Sequence, residues 1–259
     1  MPPFTRLTSR QHEIVKRFKN AARRIASDAV LLDGEHLLQS ALDAGVRVDV
    51  VLTDEAHKVL ARRAHTAGAT VYEASTPVIE AASPVRTPSG IVALATWDQT
   101  SLTDIFSGRP ALVVGLCGVQ DPGNVGSVIR AADALGATGV LALDGSAHPA
   151  GWKALRGAMG STFQVPVATG TIDEATATAR KNGIRVIATV ATGGEAVQTA
   201  DLKAPSLLLL GSEAAGLPAT VVAQADARIT IPMRPKANSL NVASAAALLI
   251  YEAGRQRGR

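Results

Sequence analysis

The stretch ALVVGLCGVQDPGNVGSVIRAADALGATGVLAL, residues 111–143, decides the fold. Its first nine residues, 111–119, carry no charge and no polar alternation. An uninterrupted apolar run of this kind is what a strand buried on both faces requires. At Asp121-Pro122-Gly123 the chain turns tightly, and from about Gly123 to Leu135 the pattern is helical. GVLAL (139–143) is a second apolar strand, so strand, helix and strand form a βαβ unit with parallel strands. The alternation continues through a helix at 172–182, strands IRVIATV (184–190), SLLLLG (206–211) and RITIP (228–232), and a last helix from about Leu240 to Arg255. Residues 111–259 are therefore expected to form a parallel sheet covered by helices.

Upstream, WDQTSLTDIFSGRP (97–110) carries Gly and Pro and breaks the pattern, so a linker is placed at 98–110. Before it, AVLL (29–32), RVDVVLT (47–53), TVYEA (70–74) and GIVALA (90–95) read as strands. Between them GEHLLQSALDAG (34–45), EAHKVLARRAHTAG (55–68) and TPVIEAA (76–82) read as helices, with a further helix from Ser9 to about Ala26. Residues 1–97 are thus expected to be a separate small α/β domain. Of the 259 residues 47% are hydrophobic and only 3% aromatic, which suits packed α/β layers and argues against disorder.

The net charge is +4, and the sequence pI near 9.5 permits a polyanionic partner. Residues 1–25 hold seven cations, Arg6, Arg10, Lys16, Arg17, Lys19, Arg23 and Arg24, against the single acid Glu13. They form either a solvated helix face or a surface that contacts phosphates. With Cys117 alone no intramolecular disulfide can form, which fits a reducing cytoplasm. The start has no apolar signal core, and no apolar run is long enough to span a bilayer, so no membrane partner is expected. The five histidines are scattered without metal-ligand spacing, so no metal site is expected.

Three segments depart from plain helix and strand patterns, each at the carboxyl end of an expected strand, where open α/β sheets bind ligands. In 118–139 a Gly-bearing turn leads into a helix, with Asn124 near its start and Arg130 six residues on. Asn124 can also be a cap, and Arg130 a surface cation or a partner of Asp133. GxGxxG and GxxxxGK[ST] are both absent, against dinucleotide and P-loop readings. In LLLLGSEAAGLP (207–218) the glycines allow close backbone approach, and Glu213 accepts ligand hydrogen bonds or caps the next helix. In IPMRPKANSLNVASAAALLIYEA (231–253) Ser239 reads as an N-cap, and Asn241 falls just inside a helix that it does not favour. The small residues Ala243 to Ala247 permit close packing by another element, in a buried helix, a dimer interface or a chain crossing.

Together these segments resemble the motifs of the SpoU branch of the SPOUT methyltransferases, also called the TrmH family. Its first motif, DPGN-x-G-x-x-x-R-x-A-D-A-x-G, is similar to DPGNVGSVIRAADALG; its second, GxExxGL, to GSEAAGL; its third, IPM with SLNVS, to IPM and SLNVA. The resemblance spans 111–255 and takes in RGAMGSTFQVPV (156–167), which looks like a family connector. LLDGEHLLQSALDAGVRVDVVL (31–52) and VRTPSGIVAL (85–94) look like the small substrate-binding domain that precedes many members.

The resemblance implies an S-adenosylmethionine-dependent RNA 2′-O-ribose methyltransferase with a deep trefoil knot, acting as a homodimer on structured RNA. Ribosomal RNA of the 23S type is favoured; transfer RNA, or a catalytically silent RNA-binding protein, are the alternatives. It implies that Arg130 binds the phosphate or hydroxyl and assists deprotonation, that Asn124 orients Arg130 or the ribose, and that Glu213 holds the site together. Ser239 and Asn241 then position substrate and loop. Cofactor contacts fall near Thr189, Gly211, Gly216, Ile231 and Leu240, and RNA contacts on Arg10, Lys16, Arg17, Lys19 and Arg23. The chain departs from the family pattern at Asn238, where many relatives have an acid, at Ala243, where Ser is frequent, and in the added cations Arg234 and Lys236.

Overall fold

The computed structural model describes residues 4–23, 29–234 and 239–258. In chain order the elements are β1 (Thr5–Leu7), α1 (Glu13–Arg23), β2 (Ala29–Asp33), α2 (Glu35–Asp43), β3 (Arg47–Thr53), α3 (Lys58–Thr66), β4 (Thr70–Ala74), α4 (Thr76–Ala82) and β5 (Ile91–Thr96). There follow β6 (Leu112–Cys117), α5 (Pro122–Leu135), β7 (Gly139–Ala142), α6 (Trp152–Ala158), β8 (Val167–Thr169), α7 (Ile172–Lys181) and β9 (Arg185–Thr189). The last are β10 (Glu195–Ala196), β11 (Ser206–Gly211), α8 (Ala219–Gln224), β12 (Ala227–Thr230) and α9 (Val242–Gln256). They form two compact units: Met1–Asp98 with Ala150–Phe163, and Gln99–Pro149 with Gln164–Arg259.

This division differs from the expected limits in two places. Residues 99–110, expected as a linker, belong to the second unit, because Ile105 and Phe106 on a short 3-10 turn are each 1% exposed in its core. One such turn is too short to show a helical period. Residues 150–163, expected in the 111–259 domain, instead belong to the first unit, where Leu155 of α6 is buried with Val30 and Leu32 of β2.

The first unit carries a five-stranded sheet in the order β1-β4-β3-β5-β2. β1, β4 and β3 pair parallel, and β5 runs antiparallel to both β3 and β2. α1 and α4 cover one face, where Val15, Phe18, Val78 and Ile79 pack on Leu31, Leu52 and Leu94. α2 and α3 cover the other, where Leu38 and Ala61 pack on Leu32, Val51 and Ala93. α1 is shorter than the expected 9–26 helix, and residues 24–28 lie outside the described residues.

In the second unit seven parallel strands run in the order β10-β12-β9-β11-β6-β7-β8. β6 is buried throughout and β11 as far as Leu210, and the two pair in register from Leu112–Ser206 to Cys117–Gly211. Consecutive strands β6, β7 and β8 step to one side, and later strands return to the other, so the order reverses between β6 and β11. Because every pair is parallel, the carboxyl ends of β6, β11 and β12 share one edge. α9 packs along α5, and both helices bury small residues, Gly126 and Ala132 on α5 and Ala246, Ala253 and Gly254 on α9.

Candidate active site at the carboxyl edge of the parallel sheet

The turn after β6 is fixed by its own sequence. Asp121 caps α5, its Oδ1 accepting from the Gly123 amide at 2.7 Å, and Pro122 takes the first helical position, which needs no amide hydrogen. This places Asn124 in the first turn of α5. Its Nδ2 donates to Glu213 Oε1, in the loop after β11. Its Oδ1 accepts from Asn241 Nδ2 at 3.0 Å. The Asn241 Oδ1 in turn accepts from the amides of Ala243 at 2.9 Å and Ser244 at 3.4 Å. One hydrogen-bonded string, Glu213–Asn124–Asn241, thus joins the three segments singled out in the sequence.

The string corrects several alternatives. Asn241, not Ser239, is the N-cap of α9, and its position just before the helix removes the conflict with its poor helix propensity. Glu213 does not cap the next helix: α8 begins at Ala219 behind Pro218, with no side-chain cap. Asn124 bonds to Glu213 and Asn241 rather than to Arg130. Arg130 is exposed on α5, and among the described residues no ion pair, with Asp133 or otherwise, engages its guanidinium.

Beside the string lies a cavity of about 520 Å³, whose walls include Thr189, Gly211, Gly216, Ile231 and Leu240, together with Glu213 and Ser239. This volume is that of a small-molecule site. A Cβ at Gly211 would lie 2.1 Å from the Gly216 carbonyl carbon and 2.2 Å from the Leu217 amide nitrogen, so only glycine fits. Gly216 has φ 68°, a left-handed conformation, and its amide donates to the Ser212 carbonyl at 2.9 Å, closing the loop. The Thr189 hydroxyl donates to the Leu209 carbonyl at 2.8 Å, so it ties β9 to β11 and contributes wall rather than a free donor. Met233 and, from α9, Val242, Ala245 and Leu249 complete the wall. The three α9 residues were not read from the sequence, although their i, i+3, i+7 spacing marks one helix face.

Beneath this edge Cys117 is 3% exposed, and burial, with a smaller contribution from the Asp144 charge, pushes its thiol up to about 12. It stays protonated at neutral pH and is not a nucleophile. Among the described residues no group of three or more His, Cys, Asp or Glu is placed to hold a metal ion. No helix is long and apolar enough to cross a membrane.

In the first unit Lys16, Arg17, Lys19 and Arg23 are exposed on α1. Arg10 is drawn to α4 instead, its Nε donating to the Pro77 carbonyl at 3.1 Å, with Glu80 3.9 Å away. Arg24, Lys236 and Asn238 lie outside the described residues.

Residues 111–251 match the family described as SpoU rRNA Methylase, and residues 13–93 match the MRM3-like substrate binding domain. The chain is 31% identical over 237 residues to RlmP of Bacillus subtilis, named a 23S rRNA (guanosine(2553)-2′-O)-methyltransferase, covering 91% of this chain and 92% of that protein. An AdoMet-bound rRNA methyltransferase from Sinorhizobium meliloti is similar with a TM-score of 0.89 at 30% identity, covering 97% of this chain and 98% of that one. AviRb, a SpoU methyltransferase from Streptomyces viridochromogenes in complex with AdoMet, is similar with a TM-score of 0.86 at 28% identity, covering 95% and 98%.

Proposed function

Because the chain belongs to the SpoU rRNA methylase family, we propose that it transfers a methyl group from S-adenosylmethionine to a ribose 2′-hydroxyl in ribosomal RNA of the 23S type. What carries this is one juxtaposition: the cavity walled by Gly211, Gly216, Ile231 and Leu240 shares Glu213 with the string that ends at Asn241. The cavity fits the cofactor chemically. Leu210, Leu217 and Leu249 offer apolar surface for a purine, while the tight Gly211–Gly216 approach presents main-chain groups to polar edges.

Bound S-adenosylmethionine supplies a methyl group already activated on a sulfonium. The protein's own residues then have to align a ribose oxygen and ease the loss of its proton. The Arg130 guanidinium carries N–H donors and no acceptor, so it acts as a donor, not a free base. Its guanidinium holds the RNA phosphate and the 2′-oxygen and stabilises charge developing on that oxygen. Glu213, held by Asn124, fixes the cofactor loop against α5, and Asn241 fixes the start of α9 in the same register. Ser239, at the cavity wall, positions the nucleotide.

The same reading gives the first unit the task of RNA binding, through Lys16, Arg17, Lys19 and Arg23, with Arg10 at its margin. It includes a trefoil knot at the α5–α9 packing and a homodimer, for which the exposed Leu248 and Tyr251 of α9, 47% and 59% accessible, are contact candidates. It places the reaction in the cytoplasm, with no metal ion in the chemistry.

The test is methyl transfer from labelled S-adenosylmethionine to total RNA lacking this modification, followed by nucleoside analysis. A 2′-O-methylnucleoside in ribosomal RNA is expected. Label in transfer RNA alone overturns the substrate, and label in no RNA while the cofactor binds overturns the reaction.

A further inference from the structure

We propose that Trp152, at the start of α6, is a stacking platform for an unpaired base of the RNA substrate, with Lys153 and Arg156 on the neighbouring phosphates. This rests on the RNA-methyltransferase reading and extends its RNA surface to a segment that no basic run in the sequence marks.

Aromatic side chains are scarce here: four Phe, two Tyr and two Trp in 259 residues. Phe18 and Phe106 are sealed in the cores. Trp97 meets the edge of Phe163, ring centroids 6.1 Å apart. Trp152 is only half-buried. Its inner side packs against the cluster that seats Val15 and Phe18 of α1. α6 lies along β2, an edge strand of the five-stranded sheet: its Leu155 packs with the cluster on the α2–α3 face, while the Trp152 ring packs with the cluster on the face that the basic helix α1 covers. Among the described residues nothing accepts a hydrogen bond from its indole N–H. An indole serving only as core would be buried with that group satisfied.

Charge surrounds the ring. The Lys153 ammonium lies over the ring, 5.5 Å from its centroid, so a base that stacks on that face displaces this long, exposed side chain towards the neighbouring phosphates. Arg156, one helical turn on, is exposed, with the half-buried Asp33 near enough for its carboxylate to feel the guanidinium charge. Neither cation is held in an ion pair among the described residues. A partly exposed indole with two exposed cations within one turn is the arrangement that binds single-stranded nucleic acid, where bases stack on the ring and cations follow the backbone. A paired A-form helix keeps its bases stacked internally and gives the ring nothing to receive.

The full chain carrying Trp97→Phe has Trp152 as its sole tryptophan. Titration with poly(A), a single-stranded probe, is expected to quench its fluorescence, and an RNA duplex of equal length to leave it unchanged. Trp152→Ala is expected to weaken poly(A) binding roughly tenfold or more, and Trp152→Phe to restore most of it, with the cofactor-induced rise in Tm unaltered. Unquenched fluorescence at saturating poly(A), or quenching by the duplex to the same extent, overturns the platform. Should Trp152→Ala fail to fold, the Trp97→Phe titration decides alone. Methyl transfer by the unaltered protein, measured in parallel, separates the two readings. Transfer without quenching removes the platform and keeps the enzyme; quenching without transfer keeps the platform and removes the enzyme.

Discussion

Asn241 donates its side-chain amide to the Asn124 carbonyl oxygen at 3.0 Å while its own carbonyl oxygen caps α9. One side chain therefore starts a helix and ties that helix to the turn after β6. The two tasks can be separated. Asn241→Ser retains a hydroxyl able to cap, but it is too short to bridge to Asn124. It is expected to keep Tm close to wild type and to slow methyl transfer about tenfold or more. Asn241→Ala loses both, with a stability cost of about 1 kcal/mol for the missing cap. Thermal unfolding and initial rates measured side by side check this, and a wild-type rate in the Ser variant would show the bridge to be dispensable.

Arg130 stands apart from that string and lines no part of the cavity. Arg130→Ala is accordingly expected to leave cofactor affinity, read by calorimetry, within about twofold. Its methyl transfer is expected to fall by about a hundredfold or more, the usual cost of removing one donor to a developing oxyanion. Arg130→Lys keeps the charge without the planar fork and should recover only part of the rate. A comparable loss of cofactor affinity in Arg130→Ala would move the residue from substrate to cofactor.

Gly211→Ala puts a methyl group 2.1 Å from a backbone carbon and 2.2 Å from a backbone nitrogen, neither of which can swing aside like a side chain. The loop must open, at a cost of about 1–3 kcal/mol for an overpacked site. The expected result is a folded protein whose Tm no longer rises with S-adenosylmethionine. A normal cofactor-dependent shift would mean that the Gly211–Gly216 contact is not part of that site.

Much of this was legible in the sequence, because the local signals agree with the tertiary structure. The apolar runs at 112–117 and 206–210 are buried on both faces, and all five residues expected near the cofactor line one cavity. What escaped the reading depends on distant partners. Whether Asn241 or Ser239 caps α9 is decided by Asn124, 117 positions away, which holds Asn241 in place. The strands Thr5–Leu7 and Glu195–Ala196 are too short to show a period and exist because β4 and β12 offer them edges. The membership of 150–163 in the first unit follows from the pairing of Leu155 with the β2 core, which no local pattern encodes.

Cys117 faces Gly211 in register across β6 and β11 and so reports on the floor of the site. Burial, with Asp144 adding to it, raises its thiol from 9.0 to about 12. The unfolded chain therefore loses this proton near pH 9 while the folded chain keeps it. Between those two values the native state binds the extra proton, and stability falls as pH rises, by at most about 1.4 kcal/mol per pH unit. Below that window the group contributes no slope. Replacing the thiol by Cys117→Ala removes the slope, so the Tm difference between the two proteins should narrow or reverse from pH 8 to pH 10.5, whatever cavity penalty the Ala variant carries. In the native protein at pH 8 a thiol reagent should label Cys117 slowly, and in guanidinium fully and fast. Rapid labelling of the folded protein, or parallel pH profiles for the two chains, would show that this edge of the sheet opens readily to water.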